Sequence, residues 1–196
     1  MNSVSDRLII LRAIKHSEAD LILHTLSAQH GRLNLIAKGA LKSKKRFVGG
    51  VLEPTHFIEA QIKKKNDFGN GTLHFLEDAQ LLKGFEGLRQ DYDRLTLAFH
   101  FLDLITKVLQ EEDPESKKMF DLVGNALQAL ESSHRPDLLR LLFEGKLLLV
   151  QGVIPSDLPK SDLFRLSLQD HEKSQISMNE LSQLRGHIQY ALKSYL

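Results

Sequence analysis

The sequence predicts an α+β protein in which a small closed β-barrel precedes an α-helical bundle. The spacing of the apolar residues changes along the chain. Up to residue 83 it is typical of strands, and beyond Gly84 apolar residues recur every three or four positions, as is typical of helices. Apolar residues also make up 42% of the chain, which is enough for a hydrophobic core. We therefore predict a barrel domain at residues 1–83 and a helical domain at residues 84–196.

Five short apolar segments in the first half predict β-strands. They span residues 8–14, 21–26, 32–38, 57–62 and 72–76. In the third, Leu33, Leu35 and Ala37 alternate with polar residues, as expected of a half-buried strand. The segment 66–71 is rich in residues that tolerate positive φ and is expected to form a hairpin loop. Five strands within about 80 residues favour a closed barrel, because closure leaves no exposed sheet edge.

Four amphipathic helices are predicted in the second half. The apolar face of the first consists of Leu88, Tyr92, Leu95, Phe99, Leu102, Ile105 and Leu109. Asp113 and Pro114 have the residue types of an N-cap and a first helical position, and the helix that follows is expected to bury Phe120, Val123, Leu127 and Leu130.

The third helix is predicted to run from Pro136 to near Gly152. Ser177 and Glu180 have the spacing of a capping box, which predicts the start of the fourth helix. Its apolar positions are Leu181, Leu184, Ile188 and Leu192. Residues 153–176 lack a strong period and are expected to form a loop with short local structure.

The positive charge lies mainly in the first half of the chain. Residues 1–86 contain 13 Lys and Arg against 9 Asp and Glu, a net charge of +4, whereas residues 87–196 carry a net charge of −3. Five cations fall within nine residues: Lys38, Lys42, Lys44, Lys45 and Arg46. Clustered cations with small neighbours suit the phosphates of a nucleic acid. The alternative is a solvated surface loop without a ligand.

A second cationic run, Lys63, Lys64 and Lys65, follows the fourth predicted strand. It either extends the nucleic-acid surface or protects a sheet edge from aggregation. Phe47, Phe57, Phe68 and Phe75 are available for base stacking, although phenylalanines in strands usually belong to the core, and the chain has no tryptophan. Glu18 and Asp20 are expected to end a turn and pair with nearby cations.

Several classes of function are not supported by the sequence. The absence of cysteine excludes disulfides and thiolate metal sites. No secretion signal or membrane-spanning segment is expected, which favours the cytoplasm. No serine-nucleophile elbow, phosphate-cradling loop or zinc-binding helix motif occurs. We therefore expect no enzymatic activity, no cofactor, no metal and no small-molecule substrate.

The order of several short motifs resembles bacterial RecO recombination-mediator proteins. In the first half, the resemblance rests on Ser17-Glu18-Ala19-Asp20, Gly31-Arg32, Ala37-Lys38-Gly39-Ala40, the basic stretch and Leu52-Glu53-Pro54. In the second half, it rests on Phe143-Glu144, Leu147-Leu148, Gly152-Val153-Ile154-Pro155 and the segment 191–196. No one motif is diagnostic, and the most specific part is residues 17–54.

The resemblance implies an N-terminal OB-fold β-barrel followed by a C-terminal α-helical domain. It implies binding of single- and double-stranded DNA, annealing of complementary strands and assistance in loading the RecA recombinase. Because the sequence has no nucleotide-binding loop, we expect annealing to proceed without ATP. The implied partners are RecR and the acidic, apolar-ended tail of single-stranded-DNA-binding protein, and the implied location is nucleoid-associated. Carried over by position, the phosphate contacts would be Arg32, Lys38, Lys42, Lys44, Lys45 and Arg46.

The sequence departs from this family in three respects. The four cysteines of many relatives are missing, so their zinc site is not expected. A basic pair that holds the acidic tail in some relatives is replaced by Leu141 and Leu142, so that tail binding is either lost or depends on Arg140, Lys146 and Arg185. The chain also ends before the basic extension that usually follows, which would reduce or rearrange function.

Two other functions stay open at this point. A protein-interaction scaffold would use the helical half and would not bind nucleic acid. An RNA-binding OB module would use the same barrel, because OB grooves do not reveal which sugar they accept.

Overall fold

The computed structural model describes residues 3–65, 72–153 and 162–196. The chain divides into two compact units. The barrel unit consists of Met1–Phe85 with Leu102–Asp121, and the helical unit consists of Glu86–Phe101 with Leu122–Leu196.

The barrel unit contains a closed β-barrel, as predicted from the strand pattern. The described strands are β1 (Ser3–Lys15), β2 (Leu21–Ser27), β3 (Gly31–Ala37), β4 (Phe57–Lys63) and β5 (Leu73–Lys83). Their order around the barrel is β1-β2-β3-β5-β4, and β4 returns to pair with β1. All neighbours are antiparallel except β3 and β5, which are parallel.

Alternation of side chains determines which residues fill the barrel. Along β4, Ile58, Ala60 and Ile62 are fully buried, whereas the residues between them face outward. Residues of the other strands that point inward complete a core of leucine and isoleucine. The alternation that predicted β3 likewise corresponds to the inner and outer faces of the barrel.

Two strands are longer than the apolar pattern predicted. β1 begins at Ser3 because its first seven residues pair with β4, and β5 continues to Lys83 because its second half pairs with β4 as well. The extensions contain polar residues such as Glu77 and Asp78, so backbone pairing forms them without an apolar signal. The predicted loop at residues 66–71, with Phe68, lies outside the described residues.

The described α-helices are α1 (Tyr92–Val108), α2 (Ser116–Leu130), α3 (Pro136–Val150) and α4 (Met178–Tyr195). The bundle predicted from the periodicity is confirmed, although α1 and α2 begin later than expected. Residues 86–90 form a 3-10 turn before α1. The side chain of Asp113 accepts a hydrogen bond from the backbone N–H of Glu115 at 2.8 Å, and α2 starts one residue further on.

The start of α4 has the predicted capping box. The hydroxyl of Ser177 accepts a hydrogen bond from the backbone N–H of Glu180 at 3.3 Å, and the Glu180 carboxylate accepts one from the backbone N–H of Ser177 at 2.9 Å. Before this helix, the described part of residues 153–176 forms two short 3-10 turns, Asp162–Arg165 and Leu168–Lys173. Local structure within this loop is thus confirmed for residues 162–176.

The predicted apolar face of α1 is partly wrong. Tyr92 and Phe99 are exposed, and the buried face instead includes Ala98 and Phe101. Phe101 stacks on Phe143 of α3 with the ring centroids 4.1 Å apart. Because α1 is apolar over a wide arc, two overlapping stripes satisfy the helical period, and packing against Phe143 selects one of them.

Gly31, the first residue of β3, is a conformational requirement of the barrel unit. Its φ is +67°, and a Cβ there would clash with the carbonyl oxygen of Gln110 and lie 2.9 Å from the amide nitrogen of Asp113. We expect Gly31→Ala to lower the free energy of unfolding by about 3 kcal/mol, from left-handed backbone strain together with overpacking. Denaturant unfolding followed by circular dichroism measures the loss.

Gly49→Ala is the matched control, because Gly49 has a φ of +70° but nothing within 4 Å of the added Cβ. Only the left-handed backbone strain applies there, so we expect the free energy of unfolding to fall by about 1 kcal/mol. Equal losses in the two variants would show that the close approach of Gln110 contributes nothing.

Candidate nucleic-acid interface

The basic segment, residues 38–46, is held to the barrel between two buried side chains. Ala37 precedes the segment and Phe47 follows it, and both belong to the barrel core, as does Ala40 within the segment. The backbone N–H of Gly39, whose φ of +67° is left-handed, donates to the Asp20 carboxylate at 2.8 Å, and the N–H of Leu41 donates to the Ala19 carbonyl oxygen at 2.9 Å. The cations between Ala37 and Phe47 are therefore presented to solvent on a tethered backbone.

All five cations of this segment, Lys38, Lys42, Lys44, Lys45 and Arg46, are exposed. Lys42 lies 3.9 Å from the Glu18 carboxylate, but both side chains are largely solvated, so the pair is weak. Within the part of the chain that the structure describes, no carboxylate lies within ion-pair distance of the other four. Most of the positive charge is therefore available to a ligand.

Arg46 folds back over the segment. Its guanidinium donates to the carbonyl oxygen of Lys38 at 2.7 Å and lies 5.1 Å from the centroid of the Phe47 ring. Neither contact neutralises its charge, because a carbonyl and an aromatic ring are both uncharged. The arrangement brings the first and last cations of the segment together.

A cleft of about 280 Å³ lies beside these two cations on the outer face of the barrel. The strand register explains its composition. Ile36 of β3 is the partner of Phe75 on β5, and Phe75 is the partner of Lys63 on β4, so the three side chains form one row across three strands. Lys38 lies at the end of β3, with its ammonium 5.2 Å from the centroid of the Phe75 ring.

The cleft therefore joins residues from both predicted cationic runs. Lys38, Arg46 and Lys63 all line it, together with Phe75 and Glu77. Glu77 accepts a hydrogen bond from the hydroxyl of Ser3. Of the cations that the sequence predicted to contact nucleic acid, Lys38, Arg46 and Lys63 are the ones that line this cleft.

Arg32 is separated from this group. It lies at the start of β3, six residues before Lys38, which corresponds to roughly 20 Å along an extended strand. Its backbone N–H donates to the Gln110 carbonyl oxygen at 2.9 Å, and its side chain is half-buried. Within the described residues, its Nε is buried without a hydrogen-bond partner.

Lys64 and Lys65 do not line the cleft either. The backbone N–H of Lys65 donates to Nδ1 of His74 at 3.3 Å. Burial lowers the pKa of His74, and the positive charge of Lys64 lowers it further. Lys64 is half-buried, whereas Lys65 is exposed.

Phe75 and Glu77 also line the cleft, but the sequence did not predict that either residue lies beside the basic segment. Because side chains alternate along a strand, Phe75 lies on the face opposite to its buried neighbours His74 and Leu76. Alternation does not reveal which strand pairs with β5, because the parallel contact between β3 and β5 joins segments that are distant in the sequence. Only that register shows that Phe75 lies beside the basic segment.

The three cations considered for an acidic peptide all have partners in the helical unit. Arg140 donates to the Glu144 carboxylate at 2.8 Å, Lys146 donates to the Phe164 carbonyl oxygen at 2.8 Å, and Arg185 lies 3.3 Å from the Asp137 carboxylate. Burial lowers the pKa of Lys146. A cavity of about 730 Å³ beside Arg140 is lined by both acidic and basic side chains.

Glu144 is the most buried charged group of this region, with 2% of its side chain exposed. His100 Nε2 lies 2.7 Å from the same carboxylate oxygen that Arg140 contacts. Burial raises the pKa of Glu144, but the hydrogen bonds and positive charges of His100 and Arg140 outweigh it and lower that pKa below its ordinary value. In the Phe143-Glu144 motif, Phe143 thus contributes an aromatic ring stacked in the core, and Glu144 contributes a buried carboxylate that pairs with His100 and Arg140.

Among the described residues, no group of three or more histidine, aspartate and glutamate side chains is arranged to hold a metal ion. None of the helices among these residues combines the length and apolar content that crossing a membrane requires.

Family models match most of the chain. The model of the recombination protein O N-terminal domain matches residues 1–85, and the model of the C-terminal domain of the same protein matches residues 89–156. The chain belongs to the RecO family. The first match coincides with the strands of the barrel, and the second extends from the 3-10 turn before α1 to just beyond α3.

Curated relatives carry the name DNA repair protein RecO. The chain is 32% identical over 152 residues to that of Maridesulfovibrio salexigens, covering 78% of this chain and 60% of the relative. It is 31% identical over 148 residues to that of Anaeromyxobacter dehalogenans, covering 75% of this chain and 56% of the relative. It is 32% identical over 147 residues to that of Syntrophus aciditrophicus, covering 75% and 55%. The matched region thus spans 55–60% of these relatives.

The buried carboxylate predicts a dependence of stability on pH. Because the pKa of Glu144 in the folded state lies below its ordinary value of 4.5, its stabilisation is fully present above about pH 4.5 and is lost as the pH falls through the folded-state pKa. We expect Glu144→Gln to lower the free energy of unfolding by about 1–3 kcal/mol at pH 7. The difference from wild type should shrink in urea titrations below pH 4.5.

Asp137→Asn is the matched control, since Asp137 is also a carboxylate of α3 paired with an arginine, but 76% of its side chain is exposed. Its loss should stay within about 0.5 kcal/mol. A Glu144→Gln penalty that did not change with pH would contradict the assigned ion pair.

Proposed function

We propose that this chain is a DNA-binding recombination mediator in DNA repair, acting by binding and not by catalysis. The observation that carries the proposal is the basic segment: five exposed cations tethered between the buried side chains of Ala37 and Phe47, most of them without a carboxylate partner among the described residues. Membership of the RecO family and the name of the curated relatives support it.

The physical basis of binding is charge. A nucleic-acid backbone carries closely spaced phosphates, and each cation that contacts one releases condensed counterions. Exposed lysines on a tethered segment can each reach a phosphate while the backbone stays in place. Lys63 adds a sixth cation beside Lys38 and Arg46. We propose that single- and double-stranded DNA both contact this surface.

Strand annealing follows from the same property. Two complementary strands repel each other through their phosphates, and a cationic surface screens that repulsion so that bases can pair. This step consumes no nucleotide, and the sequence contains no phosphate-cradling Gly-Lys-Ser/Thr loop. We therefore propose annealing without ATP, and assistance in RecA loading together with RecR, in the bacterial cytoplasm at the nucleoid.

The decisive measurement is the salt dependence of single-stranded-DNA binding. The log of the affinity should fall with the log of the salt concentration, with a slope of about −0.7 per phosphate contact. Replacing Lys42, Lys44, Lys45 and Arg46 together with glutamine should make the slope shallower by about 2–3 and slow ATP-free annealing. Fluorescence anisotropy at several salt concentrations measures the slope, and an unchanged slope would sink the proposal.

A charge-matched variant tests whether position matters or only net charge. Four exposed lysines pair with carboxylates three or four residues away, and their replacement with glutamine also removes four charges: Lys107, Lys117, Lys118 and Lys173. This variant should keep a near wild-type slope. Competition by a matched RNA oligonucleotide in the same assay distinguishes a DNA mediator from an RNA-binding module, since equal competition would favour the latter.

The acidic tail of single-stranded-DNA-binding protein is a proposed partner of the helical unit. Arg140, Lys146 and Arg185 are the cations available, and each has to exchange its present partner for the peptide. We expect saturable binding of a fluorescein-labelled acidic, apolar-ended peptide that weakens as salt is added, because screening reduces the attraction. A titration without saturation would remove this partner.

A further inference from the structure

Phe75 faces the outside of the barrel at a position where an aromatic side chain gains little from the core. Its neighbours in β5, His74 and Leu76, are both buried, so alternation directs Phe75 outward. The ring is half-buried in the row formed with Ile36 and Lys63. An outward ring flanked by cations has the composition of a base-stacking platform.

We propose that the cleft over Phe75 holds one unpaired nucleotide of a single strand, with its base stacked on the ring and its phosphate among the surrounding cations. This inference rests on the proposed function and deepens it, because it names the form of nucleic acid that this part of the surface selects. The cations are Lys38, Arg46 and Lys63.

The size of the cleft fits one base. Its volume of about 280 Å³ is close to the lower end of the range for small-ligand pockets, about 300–1,000 Å³. The lining of the cleft also contains Ile36, which is buried and gives an apolar contact for a base. A cleft of this size suits a single ring system.

The contact already made by Phe75 is one that a base replaces. The Lys38 ammonium lies 5.2 Å from the ring centroid, which is a cation–π contact at an exposed site. Such a contact is weaker than stacking of a base on an aromatic ring. When a base arrives, the flexible lysine moves aside and pairs with the phosphate of the same nucleotide, so both partners of the original contact gain.

Glu77 favours contact with a base over contact with a phosphate. Its carboxylate lines the cleft and is positioned by the hydroxyl of Ser3. A carboxylate repels phosphate and accepts hydrogen bonds from amino groups, so we expect Glu77 to contact the edge of the base. Oligonucleotides of cytosine, which carries an exocyclic amine, should accordingly bind more tightly than those of thymine.

Duplex DNA does not fit this arrangement. A paired base is stacked between its neighbours on both faces, and it presents no free face to Phe75 unless it leaves the helix. The cleft therefore contributes to single-strand binding alone, while the exposed lysines of the basic segment contact phosphates of either form. Replacement of Phe75 should separate the two activities.

The absence of tryptophan from the chain provides a direct test. Phe75→Trp introduces one indole and keeps an aromatic platform, so single-stranded oligo(dC) should quench its emission in a saturable, salt-sensitive way, and duplex DNA should not. Phe75→Leu should lower affinity for single strands by about 10-fold and leave affinity for duplex within about 2-fold. Phe57→Trp and Phe57→Leu are matched controls, because Phe57 packs edge-on against Phe120 with the centroids 5.6 Å apart.

The possible outcomes distinguish this inference from the proposed function. If wild type binds single strands by anisotropy but Phe75→Trp shows no quenching and Phe75→Leu no selective loss, the stacking site is wrong and the basic segment stands. If wild type binds no DNA, both are wrong. Selective loss in Phe75→Leu with quenching in Phe75→Trp, both absent from the Phe57 variants, supports the site.

Discussion

The parallel pairing of β3 with β5 is the constraint on which the interface depends. It closes the barrel, and its register, with Ile36 opposite Phe75, determines which outward side chains become neighbours. A shift of one residue would turn Phe75 into the barrel and bring His74 or Leu76 to the outer face. The burial of those two residues specifies the register, so packing inside the barrel decides the surface outside it.

In the basic segment too, buried residues determine where the exposed residues lie. Buried Ala37 and Phe47 determine where the segment begins and ends on the barrel, and the hydrogen bond from the backbone N–H of Gly39 to the Asp20 carboxylate holds its first turn. The lysines between them are left to solvent, where they have conformational freedom. A tethered backbone with mobile cations suits a ligand whose charge is regularly spaced and whose sequence is not read.

The helical unit places its charges differently. Glu144 is enclosed and accepts from both His100 and Arg140, so its charge serves the internal structure of the unit. In the basic segment of the barrel unit, the five cations are instead exposed, and among the described residues Lys42 is the one of these five that lies within ion-pair distance of a carboxylate. Charge thus contributes to the internal structure of the helical unit, whereas in the proposed function the charge of the basic segment contacts the ligand.

The sequence by itself determined the fold class, most of the element positions and the location of the main cationic cluster. These features depend on local periodicity and composition, as in the alternation of β3 and the capping box of Ser177 and Glu180. The family was likewise visible in the order of short motifs. The apolar face of α1 was less determined, because two stripes satisfied the same period.

Only the tertiary structure decided which cations share a site. Lys63 joins Lys38 and Arg46, whereas Arg32 lies near the opposite end of β3. Phe75 becomes part of the cleft for the same reason. Pairing between strands distant in the sequence is set by the packing of the whole barrel, and no local pattern of residues encodes it.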